Sequence, residues 1–233
     1  MQSEGPRGDV QAVYEDADLL VLCKPAGLLC VPGRGPDKQD CLSARAQQRW
    51  PGALVVHRLD QATSGLVLMA RHVDAQRLLS HAFAERQVHK RYVAVVQGRL
   101  EGSVPAGDGE HGETGDGGSA WNDIHLPIAA DWARRPLRVI DPASGKPSHT
   151  RWRALGYNAA AHTTRVALEP ITGRTHQLRV HLAAMGHAIL GDTLYADVAV
   201  QALSPRLLLH ACQLAFRHPV SGEPLRLEMP PGF

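Results

Sequence analysis

Most apolar residues fall in short runs separated by Gly, Pro, Asp or Ser, the pattern of strands joined by turns. Val13-Tyr14-Glu15 and Leu19-Leu20-Val21-Leu22, linked across Asp16-Ala17-Asp18, predict a hairpin ending at Lys24-Pro25-Ala26-Gly27, with Lys24 on the surface. Leu54-Val55-Val56 and Leu66-Val67-Leu68-Met69-Ala70 predict two further strands. Tyr92-Val93-Ala94-Val95-Val96 predicts a strand buried on both faces, and Thr164 to Glu169 another. A closing hairpin is expected from Leu207–Phe216 and Leu225–Met229 across the turn Pro219-Val220-Ser221-Gly222.

Three stretches carry helical signals instead. Asp40 is placed to cap a helix over 41–50 that Pro51-Gly52 stops. Ala75, Leu78, Leu79, Ala82 and Phe83 recur at i, i+3, i+4, i+7 and i+8, one apolar stripe. Thr175 is expected to cap a helix through residue 185, with Leu178, Leu182 and Met185 facing inward and Gly186 ending it. Strands dominate and no regular βαβ repeat occurs, so the predicted class is α+β with a mixed or antiparallel central sheet and flanking helices. Residues 1–9 are polar and predict a disordered tail, 10–233 a single domain, and the Gly-rich stretch 98–122 a flexible loop.

Composition narrows the chemistry. Aromatic residues are only 5% of the chain against 44% hydrophobic residues, so the aromatics expected outside the core, Trp132, Trp152 and Tyr92, carry information. The net charge of +2 is too mild to prove a nucleic-acid partner, and its distribution matters more. Between Asp131 and Arg153 the cations Arg134, Arg135, Arg138, Lys146, Arg151 and Arg153 outnumber Asp131 and Asp141, with Trp132 and Trp152 among them. Cations that neutralise phosphate beside rings that stack on unpaired bases suit an RNA strand; a solvated face with two core indoles is the plainer alternative. Cys23, Cys30, Cys41 and Cys212 form no C-x-x-C pair and read as free thiols in a reducing compartment. No apolar run approaches the ~20 residues of a membrane span and the first residues lack a signal-peptide core, so a cytoplasmic protein is expected.

One stretch places an acid where a sheet can present it: His57-Arg58-Leu59-Asp60-Gln61-Ala62-Thr63-Ser64-Gly65, between two predicted strands. By pattern alone it is equally a turn whose Asp and Thr cap backbone N–H groups. It resembles the signature of the RluA-type pseudouridine synthases, an Arg-Leu-Asp before a Thr-Ser-Gly turn. His89-Lys90-Arg91-Tyr92 and Ile171-Thr172-Gly173-Arg174-Thr175-His176-Gln177-Leu178-Arg179-Val180-His181 fit the same family, in the family's order.

The resemblance implies an isomerase that breaks the bond from ribose C1′ to uracil N1 and re-forms it to C5 in RNA. It implies a catalytic cleft and base flipping of the target uridine. Asp60 takes the carboxylate role, either as nucleophile at C1′ or as the base that removes a ribose proton. Arg174 corresponds to the cation that holds this carboxylate ionised, and Tyr92 to the ring that packs on the uracil. Arg58 corresponds to the side chain that fills the gap left by the flipped nucleotide, and Leu209 to an apolar wall. Arg134, Arg135, Arg138 and Lys146 are expected to bind RNA. No cofactor and no metal are expected; the chain has no Walker loop, Gly-x-Gly-x-x-Gly turn or zinc spacing. A family member often carries a separate N-terminal RNA-binding domain, which too few residues precede the first strand here to build. The short N-terminus, Lys24-Pro25-Ala26-Gly27-Leu28-Leu29 and Val31-Pro32-Gly33-Arg34 resemble members acting on stem-loops of both 23S rRNA and tRNA. A monomer with no obligate protein partner and no membrane attachment is expected. Two other classes compete: a non-catalytic RNA-binding module, against which Asp60, Tyr92 and Arg174 together speak, and a metal-dependent hydrolase using Asp60, Asp192 and some of the 13 histidines.

Overall fold

The computed structural model describes residues 10–100 and 121–233. The predicted tail over 1–9 lies outside these residues, as do positions 101–120 of the predicted loop. In chain order the elements are β1 (Gln11–Glu15), β2 (Leu19–Lys24), α1 (Leu42–Arg49), β3 (Leu54–Val55), β4 (Ser64–Ala70), α2 (Val73–Ala84), β5 (His89–Gln97), β6 (Asn122–His125), β7 (Ile128–Ala130), β8 (Arg138–Ile140), β9 (His149–Asn158), β10 (Thr163–Pro170), α3 (Gln177–Ala184), α4 (Val198–Ala202), β11 (Leu209–Arg217) and β12 (Pro224–Glu228). They form two compact units, one from the chain up to Arg91 together with 209–233, the other from Tyr92 to Leu208.

The first unit is a mixed sheet in the order β1-β2-β4-β11, with β12 on β11 and β3 on β4. Only the β4–β11 pairing is parallel. Every residue of β4 is buried, which explains its unbroken Leu66–Ala70 run. Leu66, Leu68 and Ala70 share a core with Leu19 and Val21 of β2, Ala75 and Leu79 of α2, and Leu214 and Phe216 of β11. Leu78, expected on the inward stripe of α2, is instead half exposed. Helix α1 starts one residue later than predicted: Cys41 Sγ accepts the Ala44 N–H, while Asp40 is held by two 2.6 Å hydrogen bonds from Arg45. The β1–β2 turn is tied down by Asp16, which accepts from Tyr14 Oη, His218 and the backbone of Asp18 and Leu19. Its carboxyl consequently lies below the usual range against the pull of its own burial.

The second unit is antiparallel, β5-β10-β9-β6, with β7 and β8 forming a separate hairpin. Only Ala94 and Val96 of β5 are fully buried, so one face of this strand is covered and the other only partly, not both as expected. Trp152 is a core residue, 4% exposed between Thr150 and Ala154, and not the surface ring expected. The opposite parity carries Arg151 and Arg153, whose guanidinium carbons sit 5.2 and 5.0 Å from the ring of Trp121. Asp192 is fully buried and gripped by Arg179 through bonds of 2.8 and 2.6 Å. It also accepts the N–H groups of Leu194 and Tyr195, a structural pair and no metal ligand. All four cysteines are free thiols, Cys30 and Cys41 buried. Among the described residues no helix is long and apolar enough to cross a membrane.

Candidate active site

Asp60 lies in the turn before β4, closed by the Thr63 N–H to the Asp60 carbonyl at 3.1 Å. Leu59 between the charged neighbours is buried, with its N–H on Cys30 Sγ at 3.1 Å, while Arg58 is exposed and Asp60 half-buried. The buried leucine pins the turn and leaves Arg58 facing solvent.

What fixes the turn from below is Lys24. It is fully buried, contrary to the surface position expected, and its Nζ donates to the carbonyls of Pro25 (2.8 Å), Leu28 (2.7 Å) and Gln61 (3.0 Å). Gln61 returns its side-chain amide to the Gly27 carbonyl and takes the Gly27 N–H on its own carbonyl. Two segments 37 residues apart are thus zipped through main-chain oxygens. Burial pushes the Lys24 ammonium down to about 8, opposed by the charges of Cys30, Asp60 and Cys23. That value still lies above neutrality, so the ammonium keeps all three donors at pH 7.

His57 has a structural task. Its Nε2 accepts the Leu68 N–H at 2.9 Å, and its ring stacks on Phe83 with centroids 4.5 Å apart. Burial, with the Lys90 charge nearby, pushes its pKa down to about 3, so the ring stays neutral and accepts at Nε2. After the turn, Gly65 runs at φ +116°, where a Cβ would meet the Ala211 oxygen at 2.3 Å. Only glycine permits the close β4–β11 approach. Ser64 bonds His210 Nδ1 at 2.9 Å, while His210 Nε2 donates to the Met229 carbonyl. Leu209 opens β11, buried, with its carbonyl 3.4 Å from Ser64 Oγ.

In the second unit Tyr92 lies half-buried on β5 opposite Leu168 of β10. Arg174 is exposed on the turn between β10 and α3, its Nε and Nη2 each 3.4 Å from the Pro147 carbonyl. The predicted cap, Thr175, does not cap this helix. His176 occupies the N-cap position in the left-handed region at φ 57° without a side-chain cap bond, and its Nδ1 pairs with Tyr195 Oη at 2.6 Å. The organiser is Gln177, 3% exposed. Its Oε1 accepts the Arg174 N–H (3.0 Å) and the Thr172 hydroxyl (2.7 Å), and its Nε2 donates to the His149 carbonyl and Thr150 Oγ1, both at 2.9 Å. All four hydrogen-bonding positions of the amide are used, which fixes its orientation and that of the Arg174 turn. The adjoining Thr150 hydroxyl meets His181 Nδ1, whose Nε2 donates to the Leu126 carbonyl. His176 and His181 therefore have separate partners.

The cationic stretch is less uniform than its sequence. Arg134 is tied to Asp131 at 2.8 Å through both Nε and Nη2. Arg135 stacks 4.0 Å over the ring of Trp132, which is 74% exposed. Arg138 is half-buried on β8, its N–H on Tyr195 Oη, and Lys146 is exposed beside the β7–β8 hairpin.

The model of the family described as RNA pseudouridylate synthase matches residues 18–184, a span holding Arg58, Asp60, Tyr92 and Arg174. The chain belongs to that family. It is an RNA pseudouridine synthase, an isomerase. The synthase is 42% identical over 221 residues to the Dual-specificity RNA pseudouridine synthase RluA of Escherichia coli K12, covering 95% of this chain and 93% of the relative. The protein of the same name from Pasteurella multocida is 43% identical over 221 residues, with the same coverage. Among solved structures the synthase resembles human RNA Pseudouridylate Synthase Domain Containing 1, with a TM-score of 0.76 and 29% identity over 100% of this chain and 87% of that one. Human RNA Pseudouridylate Synthase Domain Containing 4 matches with a TM-score of 0.69 and 25% identity, over 95% of this chain and 89% of that one. The expected α+β class is that of these synthase domains.

Proposed function

We propose that the synthase isomerises specific uridines in stem-loops of 23S rRNA and tRNA, with Asp60, Tyr92 and Arg174 as its catalytic residues and residues 10–233 acting as one catalytic domain. The observation that carries this reading is the turn holding Asp60. A half-buried carboxylate there is braced through main-chain oxygens by a fully buried ammonium, inside the segment matched by the family. A brace of that kind holds a reactive group in place without consuming it. Asp60 opens the glycosidic bond, Arg174 keeps a carboxylate charged with a planar fork that lysine cannot reproduce, and Tyr92 supports the detached uracil. Arg58, exposed on the same turn, fills the space vacated by the flipped nucleotide, and Leu209 supplies an apolar wall. Arg135, Arg138 and Lys146 contact the RNA backbone, Arg134 does so from its pairing with Asp131, and Trp132 offers a stacking face. The relatives named dual-specificity support two RNA classes as substrates. The enzyme works in the cytoplasm as a monomer, with no obligate protein partner.

The test is incubation of the protein and of Asp60→Asn with unmodified tRNA and 23S rRNA fragments, followed by carbodiimide-primer extension. Pseudouridine with the wild type alone is expected. Product from Asp60→Asn would remove Asp60 from the chemistry, and no product on either RNA would overturn the substrate assignment.

A further inference from the structure

We propose that Asp123, His125 and His149 bind one divalent transition-metal ion of the zinc class at the β6–β9 edge of the second unit. The register creates the site. Asp123 and His125 are two residues apart on β6, hence on one face, and His149 of β9 lies directly across from His125. One ligand atom from each residue lies within 4.8 Å of the other two. His149 Nε2 and Asp123 Oδ1 are already 2.5 Å apart, and the His125 and His149 rings stack with centroids 4.1 Å apart at 22°. Two imidazoles and a carboxylate are a donor set suited to Zn2+, Co2+ and Ni2+. With metal–ligand bonds of about 2.0–2.2 Å, donor atoms in such a site stand roughly 3–3.5 Å apart. Small side-chain rotations on an exposed strand edge bring the three into that range.

The second cluster of this kind shows what a purely structural knot looks like. Asp16, Asp18 and His218 also converge, but Asp16 is occupied by Tyr14 and two backbone N–H groups, and Asp18 by His72. The hydrogen bond to His149 is, by contrast, the only one the Asp123 carboxylate makes among the described residues. The Asp123 carboxylate is 47% exposed, open to an ion and to the water that completes its coordination. Binding would also reach beyond the edge. The His149 carbonyl receives the Gln177 amide, and its N–H meets Thr172 Oγ1, so a metal on the His149 ring stiffens the strand end that anchors the Arg174 turn. This inference is independent of the catalytic roles assigned above.

Titration of the metal-free protein with Co2+, read by its visible ligand-field bands and by Zn2+ displacement, tests it. One equivalent is expected to bind, with affinity lowered at least ~10-fold in His125→Ala and in Asp123→Asn. His72→Ala, which removes the partner of Asp18 beside the other cluster, should bind as wild type does, and far-UV circular dichroism should be unchanged in all three variants. Absence of binding by the wild type at millimolar Co2+, or equal binding by His125→Ala and Asp123→Asn, overturns the proposal. So does loss on His72→Ala with retention in the other two.

Discussion

Lys24 Nζ lies 3.0 Å from the carbonyl of Gln61, the residue after Asp60. The buried ammonium therefore sets the main chain that carries the candidate nucleophile or base. Replacing it by methionine keeps the volume but leaves the Pro25 and Leu28 carbonyls without this donor and Gln61 with only the Gly27 N–H. Each lost charge-assisted bond costs about 1.5–3 kcal/mol, partly offset by no longer desolvating a charge. Lys24→Met is expected to lose about 2–4 kcal/mol in urea unfolding and to lower kcat far more than RNA affinity. Unchanged stability and turnover would show that the brace is dispensable.

Gln177→Glu probes the Arg174 turn by the smallest possible change. A carboxylate still accepts from Thr172 and Arg174, but it cannot donate to His149 or Thr150 and would be buried as a charge. A loss of about 2–4 kcal/mol is expected by thermal or urea unfolding, with turnover reduced alongside it. Equal stability at neutral pH would mean that the amide is not the organiser.

Gly65→Ala adds one methyl group. At φ +116° that methyl meets the Ala211 backbone, where no side chain can rotate away. At least ~3 kcal/mol of destabilisation is expected, separating β4 from β11 just after the Asp60 turn. A melting temperature within a degree or two of wild type would contradict the close approach.

His57 makes stability depend on acid. The folded protein protonates this ring near 3 and the unfolded chain near 6.5, so between these values the unfolded chain binds more protons. The contribution is complete above pH 6.5 and fades as pH falls toward 3. His57→Gln offers an acceptor to Leu68 that does not titrate. Between pH 7 and pH 4 the wild type should lose on the order of 2–3 kcal/mol more than this variant in urea unfolding. Parallel pH profiles would mean that the ring protonates without penalty.

The strands were legible because their apolar runs and parity are local properties: β2, β4, β10 and the β11–β12 hairpin lie where the pattern puts them. Parity also held an unused signal. Thr150, Trp152 and Ala154 are all buried, so the alternation along β9 was enough to assign Trp152 to the core and Arg151 and Arg153 to the other face. The burial of Lys24 and the task of Gln177 were hidden for a different reason. A lysine before Pro-Ala-Gly looks solvent-exposed until the Gln61 carbonyl arrives from 37 residues away. Gln177 bonds residues 27 and 28 positions earlier, beyond any local window. Thr175 had the right residue type for a cap, but the helix begins only after His176, whose αL backbone leaves it without a side-chain cap. The Asp-x-His spacing on β6 meant nothing until the register set His149 opposite it. For the proposed catalytic residues, the family motifs carried what pattern alone left as a turn aspartate, a strand tyrosine and a surface arginine.

The disparity among the tryptophans makes the molecule its own optical reporter. Trp50 and Trp152 are each 4% exposed, whereas Trp132 is 74% exposed on the hairpin with Arg135 against its ring. Aqueous iodide should extinguish chiefly the long-wavelength emission of this indole, and an RNA strand laid across it should shield that light from the quencher without any attached dye.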